Sequence, residues 1–230
     1  MINNKLHKNE LQYNGFSITE RIFSKSELNQ MILALEENGK SFAVRQLVEK
    51  CPEILSLIFQ NKVFKELYND LCGMEYFLTK AIFFNKPKMS NWFVSYHQDL
   101  SISVKHKSKV EGYENWTLKN NQLGVIPPKQ ILNNTVTIRI HLDRTDESNG
   151  ALKVIPKSHS EGIIRIDETF KVNNYKGESL CEVEEGGVMI MKPLLLHASE
   201  RSTSNFDRRV IHLEFCNTDV PMEWLEKKII

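Results

Sequence analysis

His97 and Asp99 stand two residues apart at the end of an aromatic, strand-like run, Trp92-Phe93-Val94-Ser95-Tyr96. His197 follows a hundred positions later, and Arg208 comes eleven after that, opening the last strong strand pattern. Two imidazoles and one carboxylate suit a redox-active divalent iron, because they occupy one face of an octahedron and leave the other open. A cation on a neighbouring strand can hold the carboxylate tail of a co-substrate. The rest of the chain must bring these four positions together.

His-x-Asp occurs twice, the second time as His141-Leu142-Asp143. Residues i and i+2 on a strand face the same way, so either pair could chelate. Position separates them. His97 leaves room for several strands before His197, whereas His141 runs directly into the polar turn from Arg144 to Gly150, where Asp143 reads as a turn residue. His197 follows Leu194-Leu195-Leu196 and, standing alone, would read as a core histidine. Arg208 changes that, because it opens a strand alternating Ile211, Leu213 and Phe215 with Val210 and His212. Its neighbour Arg209 reads as an exposed edge charge.

A chain of 230 residues can build one sizeable core and needs no second domain. With 30 Lys and Arg against 29 Asp and Glu, no global field favours nucleic acid or a membrane surface. No apolar stretch approaches the ~20 residues of a bilayer span, and Met1-Ile2-Asn3-Asn4-Lys5 lacks the apolar core of a signal peptide. Cys51, Cys72, Cys181 and Cys216 are scattered, as expected for buried, reduced thiols in a cytoplasmic protein.

The first third, 1–75, reads as helical. Ser24 and Glu27 form a capping box ahead of Leu28, Met31, Ile32 and Leu35, with Gly39 as the stop. Pro52 suits the first turn of a short helix through Ile58. A third helix starts near Asn61, carries Val63, Phe64, Leu67 and Leu71 on one face, and ends before Gly73. From Tyr76 the period changes to strands. They are expected at Phe77 to Phe84, Trp92 to His97, Thr135 to Leu142, Ala151 to Ile155, Ile163 to Ile166, Val188 to Met191 and Arg209 to Phe215. Within Thr135 to Leu142, Val136, Ile138, Ile140 and Leu142 take one face and Thr137, Arg139 and His141 the other. Many short strands separated by turns predict a sandwich or jelly-roll barrel over 76–217. The insertion 105–134 holds Lys105, Lys107, Lys109, Tyr113 and Trp116. It is either solvated surface, a set of short elements, or a lid whose Tyr113 and Trp116 close over substrate.

The chain resembles the phytanoyl-CoA dioxygenase family of iron(II)/2-oxoglutarate oxygenases from about Phe16 to Phe215. The carriers are Phe84-Asn85-Lys86, Asn91-Trp92 and His97-Gln98-Asp99. They continue with Arg139-Ile140-His141-Leu142-Asp143, Asn149-Gly150-Ala151-Leu152, Ile155-Pro156-Lys157-Ser158-His159 and His197-Ala198-Ser199, with Arg208 eleven residues on. One departure is Lys157, where glycine usually precedes Ser-His; it touches a turn and not a ligand.

The resemblance implies a double-stranded β-helix, mainly β with flanking helices, over a single domain 1–230. It implies iron(II) on His97, Asp99 and His197. Arg208 would pair with the distal carboxylate of 2-oxoglutarate, with Ser199 and Lys86 beside it. It also implies dioxygen as oxidant, release of succinate and carbon dioxide, and hydroxylation of a small organic molecule; desaturation and ring closure diverge only after hydrogen abstraction. Asp99 argues against a halogenase, which has a small residue there. Arg139, His141, Trp92 and Trp116 are the candidate substrate contacts, each equally readable as wall, core or solvated face. Two alternatives stay open: a non-catalytic jelly-roll binding protein that keeps the metal pocket, and a cupin-like iron enzyme that uses no keto acid.

Overall fold

The computed structural model describes residues 3–36, 42–90, 92–119 and 121–230. Gly39 and Asn91 therefore lie outside the described residues. Helices α1 (Asn4–Asn14), α2 (Lys25–Glu36), α3 (Leu47–Lys50), α4 (Ile54–Phe59) and α5 (Lys62–Leu71) precede the main strands, and α6 (Lys129–Asn133) falls among them. The capping box is formed. The Glu27 carboxylate accepts from the Ser24 backbone N–H at 2.7 Å, and Ser24 Oγ accepts from Glu27 N at 3.3 Å. Asn61 caps α5 by accepting from Phe64 N at 2.9 Å. Its amide also donates to Glu27 at 2.8 Å, which ties the starts of α2 and α5 together. Helix α1 has no counterpart in the sequence pattern, because it buries only His7 and Leu11 and so shows no apolar stripe.

The strands are β1 (Phe16–Ile18), β2 (Ala43–Arg45), β3 (Phe77–Lys86), β4 (Val94–His97), β5 (Ile102–Val104), β6 (Glu114–Lys119) and β7 (Gln122–Ile126). They continue as β8 (Thr135–His141), β9 (Leu152–Val154), β10 (Ser179–Cys181), β11 (Val188–Met191), β12 (His197–Ser199), β13 (Arg208–Cys216) and β14 (Lys228–Ile229). One sheet runs β1-β11-β8-β13-β3-β14, with β2 also on β3; the second runs β10-β9-β12-β4; β5-β7-β6 form a third. The two larger antiparallel sheets make the expected jelly roll, and the helical first third lends it β1 and β2.

β8 is buried along all seven residues, which removes the solvated-face reading of Arg139 and His141. Its apolar face packs outward with Ile211, Leu213 and Phe215 of β13 against the helices. An aromatic row joins the layers: Phe23 to Phe64 at 5.4 Å, Phe59 to Tyr68 at 5.1 Å, and Tyr68 to Phe215 at 5.0 Å. Burying each such ring contributes roughly 1.5–3 kcal/mol. With that face committed to the helices, the polar face of β8 and β13 is turned into the barrel.

Two expectations need correction. Ile163 to Ile166 form no strand; instead of a ladder partner, Ile164 N has the Gln98 side-chain oxygen at 2.8 Å. Arg209 is not an edge charge, since β13 lies between β8 and β3. Its guanidinium grips Asp143 through Nε at 2.9 Å and a terminal nitrogen at 2.8 Å. The insertion 105–134 carries short elements of its own, β6, β7 and α6. Lys157 meets the need for glycine by itself taking φ 71°, with its ammonium 4.0 Å above the Tyr13 ring.

Candidate metal centre and co-substrate pocket

β4 and β12 pair so that His97 lies directly opposite His197, with ring centroids 4.2 Å apart. His97 Nδ1 lies 2.9 Å from Ser95 O, and His197 Nδ1 lies 2.8 Å from Leu195 O. A carbonyl only accepts, so each Nδ1 carries the proton and each Nε2 presents a lone pair. Both Nε2 atoms face the carboxylate of Asp99 at 3.8 Å, one to each oxygen. Asp99 is held there by its backbone N–H, which donates to Pro193 O at 2.9 Å. Burial alone would push the Asp99 carboxyl up. The positive charge that His197, His212 and His97 carry when protonated, with the Lys80 ammonium, outweighs it and holds the group well below the usual carboxylate range. Burial, opposed by Asp99, takes His197 down to about 4, which leaves it neutral and free to donate its lone pair. The donor set fits a divalent iron, since all ligand atoms lie within 4.8 Å of one another.

A second group forms where Arg208 on β13 pairs with Lys86 on β3. Both are buried. Arg208 gives one terminal N–H to Gly150 O at 2.7 Å, and its buried Nε has no partner among the described residues. Ser199 Oγ donates to the same carbonyl at 3.0 Å, and Lys86 Nζ reaches Ser199 Oγ at 3.4 Å and the Glu200 carbonyl. Burial, then the neighbouring guanidinium of Arg208, lowers Lys86 to about 8; burial, then Arg139, lowers Arg208 to about 9. Arg208 keeps its Nε–H and Lys86 a further ammonium N–H free beyond these bonds, which makes a ready anion site.

A third group was not foreseen in the sequence. Arg139 on β8 lies opposite His212 on β13 and donates to its Nδ1 at 3.1 Å. A guanidinium cannot accept, so His212 must carry its proton on Nε2, which donates to Glu214 at 3.1 Å. Lys80 binds both Glu214 oxygens at 2.8 Å. Asp99, His212 and Glu214 are also close enough to hold a metal. The proton on His212 Nε2 and the ammonium on Glu214 argue against that use. The signal was present as His212-Leu213-Glu214, another histidine–acid pair at i and i+2.

All three groups line one cavity of about 710 Å³ between the sheets, walled on one side by β6 and β7. Trp92 lies on its wall as expected. Two other expected contacts do not. Trp116 points away from the cavity and packs with Tyr113 against Phe77, Ile102, Val125 and Trp224, beneath the Lys107 ammonium. Its neighbours Asn115 and Thr117 face the cavity instead, as strand alternation requires. His141 is buried at the end of β8, where Nδ1 meets Thr145 Oγ at 2.7 Å. Burial, with Arg139 and Arg208 nearby, holds it well below its usual range and thus neutral. Gln98, inside the motif, ties three segments together. Its amide donates to Gly162 O at 2.8 Å and Leu194 O at 2.6 Å, and its oxygen accepts from Ile164 N.

Solved structures share this architecture. The non-heme alpha-ketoglutarate-dependent carbocyclase SnoK from nogalamycin biosynthesis matches at TM-score 0.68 and 16% identity, over 95% of this chain and 86% of its own. EctD from S. alaskensis, solved with 2-oxoglutarate and 5-hydroxyectoine, matches at TM-score 0.68 and 15% identity, over 94% and 76%. EvdO2 from Micromonospora carbonacea var. aurantiaca, complexed with 2-oxoglutarate, matches at 0.66 and 15%, over 99% and 95%. At such identities the likeness establishes the fold. No curated protein matches the chain in sequence. No described helix is long and apolar enough to cross a membrane. The family model for phytanoyl-CoA dioxygenase matches residues 11–210, which takes in every residue of the three groups except His212 and Glu214 at the far end of β13. The chain belongs to the phytanoyl-CoA dioxygenase family, and with it to the iron(II)- and 2-oxoglutarate-dependent oxygenases.

Proposed function

We propose that His97, Asp99 and His197 hold iron(II), that Arg208, Lys86 and Ser199 hold 2-oxoglutarate, and that the enzyme hydroxylates a small organic molecule. The observation that carries this reading is the pairing of a two-histidine, one-carboxylate donor set with two buried cations, Lys86 and Arg208, the latter with its Nε unpartnered among the described residues, on the wall of the same cavity. Iron(II) held by these residues would supply the coupling of oxidative decarboxylation of 2-oxoglutarate, to succinate and carbon dioxide, with transfer of the second oxygen atom of dioxygen to a substrate C–H bond. The protein's own part is positioning. The Ser95 and Leu195 carbonyls fix both imidazoles so that Nε2 faces Asp99. The free edge of the Arg208 guanidinium takes the distal carboxylate of the co-substrate, and Lys86 adds a point charge. Trp92 and Arg139 border the remaining space, where substrate docks. A reducing setting such as the cytoplasm suits the four buried thiols.

The test is the visible metal-to-ligand charge-transfer band expected when iron(II) and 2-oxoglutarate are added without oxygen. Its absence from folded protein would sink the co-substrate assignment. Arg208→Ala is expected to weaken 2-oxoglutarate binding by at least about 100-fold, the loss of a charge-assisted bidentate contact, while iron binding persists. Unchanged affinity in the band titration would remove Arg208 from its role. Succinate release across a panel of small organic substrates, with substrate-dependent turnover, separates an enzyme from a binding protein.

Lys86 adds a pH dependence. Its ammonium loses its proton near pH 8 rather than near 10.5. Below that pH the charge is present and helps to hold the carboxylate; above it the contribution is lost. Affinity for 2-oxoglutarate, measured by calorimetry, is expected to fall as pH rises through about 8. A flat profile from pH ~7 to ~9 would contradict a charged contact from Lys86.

A further inference from the structure

The cavity wall is far more cationic than the chain. Lys and Arg outnumber Asp and Glu by 30 to 29 overall. The cavity is lined by Arg45, Lys80, Lys86, Lys119, Arg139 and Arg208 against only Asp99 and Glu214. Iron(II) and 2-oxoglutarate carry opposite double charges, so loading the site leaves this surplus in place.

The surplus is not all at the co-substrate end. Along β13 the cavity-lining residues are Arg208, His212 and Glu214, and Lys86, Phe84, Ile82 and Lys80 run beside them on β3. At ~3.3 Å per residue, Glu214 and Lys80 lie roughly 20 Å of strand from Arg208 and Lys86. Asp99 offers its carboxylate within 4.8 Å of ligand atoms of His212 and Glu214, so the metal ligands sit toward the far half. A five-carbon diacid reaching from Arg208 to that point fills the near half only. Arg139 stands level with His212, Arg45 pairs with Ile82 beyond the helices, and Lys119 comes from the β6–β7 hairpin. Gln122 on that hairpin bonds Gln46 at 3.0 Å, which brings Lys119 and Arg45 to one rim of the cavity.

Lys80 is neutralised by Glu214. Arg45, Lys119 and Arg139 have no ion pair among the described residues. Arg139 is 5% exposed, commits one terminal N–H to His212, and leaves its buried Nε without a partner. The edge formed by Nε and the other terminal nitrogen is the one that grips two oxygens of an anion side-on. Arg139 feels the nearby Asp99 carboxylate but makes no ion pair with it; a buried guanidinium held this way costs folding free energy, and a bound anion offsets that cost.

We infer that the substrate carries an oxyanion, a carboxylate or a phosphate, which the free edge of Arg139 grips beside the metal ligands while Arg45 and Lys119 attract it at the rim. The inference rests on the oxygenase reading and names the class of molecule that site accepts. Propionate, inorganic phosphate and neutral propionamide serve as probes. Each is titrated into protein saturated with iron(II) and 2-oxoglutarate without oxygen, following the charge-transfer band and ligand-observed NMR. Saturable binding of propionate or phosphate, but not propionamide, is expected, and the tighter of the two identifies the anionic group. Arg139→Gln is expected to weaken that binding at least about tenfold and to leave 2-oxoglutarate affinity within about threefold. Arg139→Lys, which keeps the buried charge but loses the fork, is expected to lose about threefold or more, and decides the matter if the glutamine variant does not fold. The inference is overturned if neither oxyanion outbinds propionamide, or if the lysine variant binds both as wild type does. It is equally overturned if Arg139→Gln loses 2-oxoglutarate instead, which would make Arg139 a co-substrate contact. A wild type with no band would defeat the oxygenase reading alone. The same probes on metal-free protein then uphold the subsite if their binding depends on Arg139, and overturn it if not.

Discussion

His97→Ala is expected to abolish the band formed by iron(II) and 2-oxoglutarate, while His141→Ala leaves it in place. The two histidines begin the chain's two His-x-Asp sequences, so the pair of variants isolates position from motif. The side chain of His97 is 39% exposed and packs chiefly on His197, so its removal costs little stability. It does remove one of three protein donors. Removing only an outer-shell partner typically costs roughly 10–100-fold in metal affinity, so losing a ligand should cost more than about 100-fold. His141 is buried against Thr145, and alanine there takes away that hydroxyl's partner at 2.7 Å and leaves it the Asp143 carbonyl at 3.4 Å, a loss of about 0.5–1.5 kcal/mol. Thermal unfolding should therefore shift for His141→Ala and hardly for His97→Ala, the reverse of the spectroscopic order. A band that survives His97→Ala and vanishes in folded His141→Ala would move the metal to the other motif.

Gly150→Ala should damage the fold and the anion site together. Gly150 ends a short 3-10 turn, Glu147–Asn149, with φ 83° and ψ 49°. An L-residue there costs roughly 1–2 kcal/mol. A methyl group at this point would also lie 2.5 Å from Lys86 Nζ, 2.6 Å from Glu200 O and 3.3 Å from Ser199 Oγ. Lys86 can swing aside, but the Glu200 backbone cannot do so cheaply. The carbonyl that receives both Arg208 and Ser199 would then be displaced. Melting should fall by several degrees, and 2-oxoglutarate affinity by at least about tenfold, with iron binding retained. A variant that melts lower yet binds 2-oxoglutarate normally would separate Gly150 from the site.

The parts of this site that were legible in sequence are those on long, regular elements. Seven alternating residues of β8 show both faces at once, and β13 announces Arg208 by the alternation that follows it. β12 is three residues long, too short for any period, so His197 was found through its spacing to Arg208 rather than as a strand. Ile163 to Ile166 has the composition of a strand but satisfies its backbone through the Gln98 side chain, an exchange that no local pattern reveals. Trp116 and Thr117 are adjacent on β6, and only the sheet beneath decides which of them sees the cavity. His212 and Glu214 were visible as residues but not as a group, since Arg139 reaches the first and Lys80 the second from strands 73 and 134 positions earlier.

The duplicated His-x-Asp has its own work. Arg208 and Arg209 are adjacent and chemically alike, and strand alternation sends one inward and the other outward. Sliding β13 by a single residue would exchange them and turn Ile211, Leu213 and Phe215 away from the helices. Asp143 recognises only the outward member, holding its side chain through two nitrogens and its backbone N–H at 2.8 Å. The sequence that imitates a metal ligand thus acts as a register pin, selecting which of two identical side chains enters the cavity beside Lys86.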